Sequence, residues 1–333
     1  MRSKSLTGSP LEYFDQEFRE MKTILVTGGC GFIGSNLIAY LLNNNLATEV
    51  RVIDNQSLGK RDYISDLDVK FIAGDIRNLN DVQEAMNGVN GVIHLAADTR
   101  VVDSIKNPTH NFETNVLGTF NVLKTARDLE IQSVVNASTA GAILGEVEPP
   151  VHEEILPKPI APYGASKLAT EGYCSAFAGA YNLNVVSVRF TNVYGERSYH
   201  KGSVVAHFFK RILSHQDLVI YGDGSQLRDY IYVKDLCYGI YQCLMQASSF
   251  RGEVFQLGTG IPTSVNELVN LVKKTVGEDY PVSVTYAPFR QGEVKNTSAD
   301  ITKASSKINF GPQVELVTGL QNTWNWFLNQ NQE

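Results

Sequence analysis

Two tyrosines in this chain stand four residues before a lysine: Tyr163 before Lys167, and Tyr230 before Lys234. A phenol held near an ammonium can act as a base in a redox reaction. Free tyrosine titrates near pH ~10, so it needs a depression of roughly 3 units, about 4 kcal/mol, to work at neutral pH. One ammonium at about 4 Å contributes about 4 kcal/mol at an effective dielectric near 20. The backbone decides which pair can meet. Tyr163 follows Pro159 and Pro162 and opens the Ala-rich segment from Leu168 to Tyr181, which predicts a helix. Four helical steps of ~1.5 Å set Tyr163 and Lys167 about 6 Å apart on one face. Residues Asp229 to Val233 form an aromatic, β-branched run that predicts a strand. Four strand steps of ~3.3 Å carry Tyr230 and Lys234 about 13 Å apart. The first pair can work together, with Lys167 lowering the Tyr163 pKa; the second cannot. Spacing alone does not separate a catalytic pair from a surface Tyr and Lys, so partners elsewhere must decide.

A third partner is offered by Ala137-Ser138-Thr139-Ala140-Gly141, which follows the fifth strand pattern. Either hydroxyl, Ser138 or Thr139, could hydrogen-bond the reacting oxygen; the alternative is a Ser/Thr turn. A redox base also needs an electron acceptor. The run Thr27-Gly28-Gly29-Cys30-Gly31-Phe32-Ile33-Gly34 lies between the first strand pattern and its helix. Glycines there allow a tight turn, bring backbone N–H groups to a diphosphate and let helix pack on strand, with the helix N-terminus facing the phosphates. Asp54 follows Gly34 by twenty residues at the end of the next strand, where a carboxylate accepts from ribose hydroxyls. It repels a 2′-phosphate and so favours NAD over NADP, although Lys60 and Arg61 are close in sequence. Asp75 and Ile76 end the third strand, where a carboxylate and a backbone amide could hold the adenine edge. His94-Leu95-Ala96-Ala97 ends the fourth, and its small residues leave room for a dinucleotide across the strand ends. His94 itself reads as a packed strand histidine.

The elements that must position these groups are legible as alternating strand and helix patterns. Thr23 to Val26, Glu49 to Ile53, Val69 to Ala73, Gly91 to Leu95, Ser133 to Asn136 and Asn184 to Val188 are short strand runs. Helical patterns fall between most of them, notably Asn36 to Leu42 and Thr114 to Leu129. Repeated βα units predict an α/β fold with a doubly wound, parallel Rossmann-type sheet. After Gly195 the rhythm loosens into a smaller α/β substrate lobe: Ser203 to Ser214 is helical, Tyr286 to Ser298 loop-rich and Val317 to Leu328 a final helix. The expected division is an N-terminal extension over 1–20, a dinucleotide-binding domain over 21–190, and a substrate lobe over 191–333 with segments returning to the first domain. In the extension, Leu11, Phe14 and Phe18 fall at helical spacing, which fits a short docking helix or a mobile tail.

The chain has 333 residues, 43% of them hydrophobic, and a formal net charge of -6. That balance argues against nucleic-acid or anionic-membrane binding, so an anionic ligand must be held by a few placed cations. No run approaches the roughly 20 apolar residues of a membrane span, and no signal peptide is visible. Cys30, Cys174, Cys237 and Cys243 lack metal-ligand spacing and read as reduced thiols of a cytoplasmic protein, with no metal site expected.

Taken together these residues resemble an extended short-chain dehydrogenase/reductase of the NAD-dependent nucleotide-sugar epimerase/dehydratase family. The resemblance runs from Lys22 to Asn329. It rests on the glycine loop, Asp54, Asp75-Ile76, His94 to Ala97, Asn115, Thr139, Tyr163/Lys167, Arg189-Phe190-Thr191-Asn192-Val193-Tyr194-Gly195, Gly222-Asp223-Gly224, Arg228-Asp229-Tyr230 and Arg290-Gln291-Gly292-Glu293. It implies that Phe32, Ile33, Asn55 and Asn115 join the glycines at the cofactor. It also implies that Thr99, Thr139, Asn192, Arg228, Arg290, Glu293 and Thr297 face the nucleotide sugar, the arginines holding its diphosphate. Arg197, His200 and Lys201 flank the same lobe. The implied reaction is reversible oxidation at sugar C4 on tightly held NAD, with Tyr163 taking the O4 proton.

Dehydratases and decarboxylases of this family carry an acid just after the active-site hydroxyl, whereas Ala140-Gly141 follow Thr139 here. That points to a UDP-hexose 4-epimerase of the glucose/galactose or N-acetylglucosamine/N-acetylgalactosamine type. A UDP-glucuronate epimerase, a dehydratase or decarboxylase, and a non-catalytic NAD sensor are the alternatives. Thr297 stands where the family's C4 epimerases gate substrate size. Leu144 stands where the family shows a Tyr, and the loop Ala140 to Leu144 is one residue longer. The apolar helices Thr114 to Leu129 and Leu168 to Tyr181 predict a homodimer joined by a four-helix bundle; the alternative is that one chain buries both faces.

Overall fold

The computed structural model describes residues 21–289 and 296–330. The extension before Met21 and the predicted ligand residues Arg290 and Glu293 lie outside them. Six strands of the first half, β1 (Thr23–Thr27), β2 (Glu49–Asp54), β3 (Lys70–Ala73), β4 (Gly91–His94), β5 (Ser133–Thr139) and β6 (Val185–Phe190), pair in parallel. Their order is β6-β5-β4-β1-β2-β3, and β10 (Val254–Leu257) from the second half adds a seventh strand beside β6. The chain therefore reverses direction across the sheet between β1 and β4. In an open α/β sheet that reversal opens a crevice at the strands' carboxyl ends, where ligands bind. The predicted Rossmann-type sheet is present.

Both faces of the sheet are covered. On one side α1 (Phe32–Asn43) and α8 (Val233–Met245) pack through Leu37, Ile38, Leu236 and Ile240. On the other, α2 (Leu79–Met86), α5 (Gly118–Asp128) and α6 (Pro162–Tyr181) pack through Val82, Val122, Leu123, Cys174 and Phe177. A strand buried on both faces reads as a continuous apolar run, and Ile24-Leu25-Val26 is such a run. Pro162 occupies the first helical position of α6, where its missing N–H costs nothing, and Asn182 in the left-handed region ends it.

The remaining elements form the second lobe. β7 (Asn192–Tyr194), β9 (Leu227–Tyr232) and β11 (Pro262–Ser264) make a three-stranded sheet. β8 (Leu218–Tyr221) pairs in parallel with β12 (Val284–Ala287). α7 (Val204–Leu213), α9 (Val265–Val276) and α11 (Leu316–Gln330) enclose a core of Phe208, Phe209, Leu268, Trp324 and Phe327. Ser264 and Glu267 start α9, the Ser264 hydroxyl accepting from the Glu267 N–H as in a capping box. α10 (Thr302–Ile308) returns to the main sheet through Ala304 and Ile308.

Three expectations are corrected. β5 runs on to Thr139 instead of stopping at Asn136, because the ladder to β6 continues through Ser138↔Arg189 and Thr139↔Phe190. The strand through Tyr230 ends at Tyr232, and Val233 begins α8, so Lys234 is a helical residue paired with Glu196 at 2.9 Å. Asp235 in the first turn of α8 favours that start against the helix dipole. The predicted helix from Thr114 instead opens with a π turn over Glu113–Leu117, which joins α4 (Pro108–Phe112) to α5.

Asp229 joins the two lobes. It is fully buried on β9. Its carboxylate accepts from the Thr259 N–H (2.9 Å) and hydroxyl (2.7 Å), the Gly260 N–H (3.0 Å), the Ala299 N–H (3.2 Å) and the Thr191 hydroxyl (3.4 Å). Thr191 and Thr259 follow β6 and β10 of the large sheet. Removing the carboxylate leaves the buried Ala299 N–H and four part-buried donors without their acceptor, and a buried donor left unmade costs about 1–3 kcal/mol. Asp229→Ala is expected to lower the unfolding free energy by about 3 kcal/mol or more in urea titration. A loss below about 1 kcal/mol would show that the hub is dispensable.

Candidate active site

At the crevice, Gly28 has φ of 70° and passes so close to β4's exit that a Cβ there would lie 2.7 Å from the Ala96 nitrogen. A Cβ on Gly34 would run into the Gly28 carbonyl oxygen. The glycines therefore bring the turn, the first turn of α1 and the Leu95-Ala96-Ala97 strand exit into one surface. Gly31 caps α1 in extended conformation with no side chain over the helix end, so the N–H groups of the Phe32-Ile33 turn face the crevice. Asp54 closes the adjacent side. Its carboxylate is braced by the Cys30 N–H (3.0 Å) and the Gln56 N–H (2.7 Å). Burial raises its pKa, and these two amides work against that. Asn55 and Asp75 meet at 2.9 Å, and Arg77 pairs with Asp75 at 2.7 Å, holding that carboxyl well below its ordinary range. An open helix N-terminus, a glycine cradle that a side chain would fill and a braced carboxylate suit a dinucleotide.

Tyr163 is fixed at both of its backbone groups. Its N–H donates to the Ser104 hydroxyl (3.1 Å), on α3 (Val101–Lys106), and its carbonyl accepts from the Ser166 hydroxyl (2.8 Å). Its phenol hydrogen-bonds Thr139. Of the two candidate hydroxyls, Thr139 meets the tyrosine. Ser138 does not: neighbouring strand residues face opposite sides, and Ser138 donates to Glu171 on α6 at 2.6 Å. Lys167 is buried and donates to the Ala137 carbonyl at 2.9 Å. Burial lowers its pKa to about 8 against a counteracting pull from Glu171.

Burial pushes the Tyr163 phenol up to about 12; the Thr139 hydrogen bond lowers it and the Asp98 charge raises it further.

Asn115, predicted to touch the cofactor, is 1% exposed. The π turn directs it inward, where its amide accepts from the Asp98 N–H (2.8 Å) and donates to the Asp98 carbonyl (3.0 Å) and the Ser166 hydroxyl (2.9 Å). It binds the strap after β4 to the helix carrying Tyr163, and so supports the site from behind. His94 is likewise internal, bridging the Thr27 (2.7 Å) and Thr119 (2.9 Å) hydroxyls. Sequence reasoning missed Asp98, Ser104 and Ser166; the i, i+3 position of Ser166 relative to Tyr163 was the available signal.

Across the crevice, Asn192 on β7 donates to the Asp229 carbonyl at 3.3 Å, and its strand pairs with β9, which carries Arg228. The Thr297 N–H donates to the Leu227 carbonyl (3.0 Å), and its methyl lies 3.0 Å from where a Cβ on Gly141 would be. The structure thus brings Asn192, Arg228 and Thr297 together opposite the Thr139 loop. Thr99 is exposed on the strap after Asp98. Leu144 does not face this space, being buried with Ile143 and Val151 in a small core of its own. The segment after Gly195 spans the two lobes. Arg197 binds Asp66 (2.5 Å) and the Tyr63 carbonyl (2.6 Å), His200 stacks on Tyr63 at 4.2 Å, and Lys201 lies 5.2 Å above the Phe32 ring.

His94 gives the site a pH signature. Burial, and then the Lys167 charge, hold its pKa at about 3, against an ordinary 6.5. The unfolded chain therefore binds this proton first, and stability falls as pH drops below 6.5, by up to about 1.4 kcal/mol per pH unit. In urea melts, His94→Gln is expected to lower stability at neutral pH yet flatten that acid slope. An unchanged slope would show that His94 does not titrate this way.

The chain is 37% identical over 313 residues to a putative UDP-glucose 4-epimerase of Methanocaldococcus jannaschii, covering 92% of this chain and 99% of that one. The crystal structure of a Thermotoga maritima UDP-glucose 4-epimerase with UDP-glucose superposes with a TM-score of 0.86 at 34% identity, covering 93% and 99% of the two chains. A dTDP-glucose 4,6-dehydratase of Streptomyces venezuelae, solved with NAD bound, also gives 0.86, at 31% identity over 93% and 98%. Residues 24–258 match the model of the NAD dependent epimerase/dehydratase family, and with the fold and the Thr139–Tyr163–Lys167 arrangement in agreement, the chain belongs to that family.

Proposed function

We propose that this protein is a nucleotide-sugar C4 epimerase acting on a UDP-hexose, of the glucose/galactose or N-acetylhexosamine type. The observation that carries the reading is the loop after the Tyr163–Thr139 hydrogen bond: Ala140 is buried and Gly141 faces Thr297, so this loop brings no acid to eliminate water from the sugar. Thr297, a small residue, leaves space there for an N-acetyl group.

NAD, held by the glycine loop, Asp54 and the β4 exit, supplies the reversible two-electron acceptor. Thr139 would orient the C4 hydroxyl; Tyr163 would take its proton as the C4 hydride leaves for the nicotinamide, and would return a proton to O4 when the hydride re-adds to the opposite face of C4. Burial holds the Tyr163 phenol up to about 12, so a base there needs positive charge nearby, which Lys167 would supply together with the oxidised cofactor. Arg228 and Asn192, with Arg290 outside the described residues, would hold the diphosphate while the sugar beyond it turns over, and Glu293, also outside them, would face the nucleotide sugar. On this reading residues 21–190 serve the cofactor and 191–333 mainly the sugar, with α8, β10 and α10 returning to the sheet.

Tyr163→Phe is expected to keep its NAD and lose turnover by about 10²–10⁴-fold; near-normal turnover would overturn the assignment. One observation favours a dehydratase as the second reading: the likeness in fold to the Streptomyces venezuelae dTDP-glucose 4,6-dehydratase is as close as that to the epimerase. NMR of the products from UDP-glucose, UDP-N-acetylglucosamine and UDP-glucuronate separates the two. Inversion at C4 supports the epimerase; a stable 4-keto or deoxy sugar supports the dehydratase.

The reading places the protein in the cytoplasm, where its four buried thiols stay reduced. It also makes a second copy of the chain the partner. Phe112, Leu117, Tyr173 and Tyr181 are exposed on the faces of α4 to α6 and the π turn between them, an apolar surface of the kind a dimer covers. Sedimentation equilibrium is expected to give twice the chain mass; a monomer at micromolar concentration would contradict it.

A further inference from the structure

Below the proposed base lies a set of buried charges that the reaction as described does not use. Glu171 stands one helical turn after Lys167 on α6. Its carboxylate accepts from the Ser138 hydroxyl (2.6 Å), from Arg189 Nε (2.8 Å) and, through its second oxygen, from Arg189 Nη2 (2.8 Å). The two charged side chains are 6% and 4% exposed. Burying such a pair costs several kcal/mol per ion in lost hydration, and apolar residues of like volume stabilise a fold as well or better. Stability alone therefore gives little reason for an ion pair at this place.

Its neighbour supplies one. Lys167 is 4% exposed and has the Ala137 carbonyl as its hydrogen-bond acceptor. The charged and titratable groups around it are Tyr163, Glu171 and Cys174 on its own helix, His94 on β4, Arg189 on β6 and Asp98 on the strap after β4. His94 is neutral, and Asp98 acts on Tyr163. Glu171 is the leading charge that favours the ammonium against its burial. Ser138 and Arg189 together donate three hydrogen bonds to that carboxylate and fix its direction.

We propose that Glu171 is a positioning residue whose buried carboxylate, held by Arg189 and Ser138, keeps Lys167 in the ammonium form that the Tyr163 base requires. This rests on the reading of Tyr163 and Lys167 given above. It also gives Ser138 a role: it braces Glu171 while Thr139 meets the phenol.

The test is Glu171→Gln, which keeps the shape and removes the charge. Lys167 is followed by NMR of lysine-labelled full-length protein with its NAD, its resonance assigned with Lys167→Arg, alongside the pH profile of kcat on UDP-glucose. The ammonium is the active form, so activity falls as pH rises through the Lys167 pKa. Both the titration and the alkaline limb of kcat are expected to move down together by about one pH unit or more in Glu171→Gln, with KM little changed. Ser138→Ala, which keeps the charge, is expected to leave the limb in place. Because Glu171→Gln strands a buried Arg189, the double variant Glu171→Gln/Arg189→Met, which leaves no unpaired ion, is measured beside it; the same downward shift is expected. An unmoved Lys167 titration in either folded variant overturns the proposal, as does an unmoved alkaline limb. If the parent protein turns over no nucleotide sugar, the functional reading fails instead, while the NMR titration still decides whether Glu171 holds Lys167 charged.

Discussion

The hydrogen bond from Lys167 to the Ala137 carbonyl is a charge placed where water is largely excluded, and much of the structure around it accommodates that charge. It ties α6 to the carboxyl end of β5, so the phenol one turn earlier and the Thr139 hydroxyl two residues later arrive together. An ammonium in such a place tends to lose its proton, and the fold answers from three sides. A carbonyl accepts from it, Glu171 faces it from its own helix, and the neighbouring His94 is held neutral between two threonines. The same low polarity that threatens the lysine raises the tyrosine pKa. One environment therefore shifts both groups towards their neutral forms.

How much of this could be read from the sequence depended on whether the signal was local. The glycine loop with Asp54 was legible because turn, helix start and strand end are short-range constraints with few residue choices. Tyr163 and Lys167 were legible because helical spacing fixes their separation. Ser138 was not. Ala137-Ser138-Thr139 has the composition of a turn, and only pairing with Arg189 and Phe190 on a distant strand draws it into the sheet and sends the two hydroxyls to different partners. The Asn115 bonds to Asp98 and Ser166 were not legible, since nothing in Glu113–Leu117 announces a π turn. Strand β10, four residues long and far along the chain, has no periodicity of its own to separate it from loop.

The two lobes show a similar division. Apolar patterning identified their cores, but the link between them is polar and made by residues distant in sequence. Asp229 gathers donors from the ends of β6 and β10 and from Ala299, while its neighbour Arg228, half-buried, donates to the Leu227 carbonyl. A hydrophobic contact could join the lobes with equal area, but it would not fix direction. Five hydrogen bonds to one carboxylate do, and that direction sets where Arg228, Asn192 and Thr297 stand relative to Thr139.

The second crossing, from Glu196 to Lys201, works at the cofactor's side of the same crevice. The Glu196 carbonyl accepts from Asn36 on α1, Arg197 reaches Asp66, and His200 lies on Tyr63, so the segment after Gly195 grips the region beside Asp54. An enzyme that oxidises and then reduces the same sugar gains nothing from releasing its cofactor midway, whereas one that releases an oxidised product needs exchange. A polar hub around Asp229 and a many-point strap from Glu196 to Lys201 hold the crevice at both margins, so the groups between them keep fixed positions.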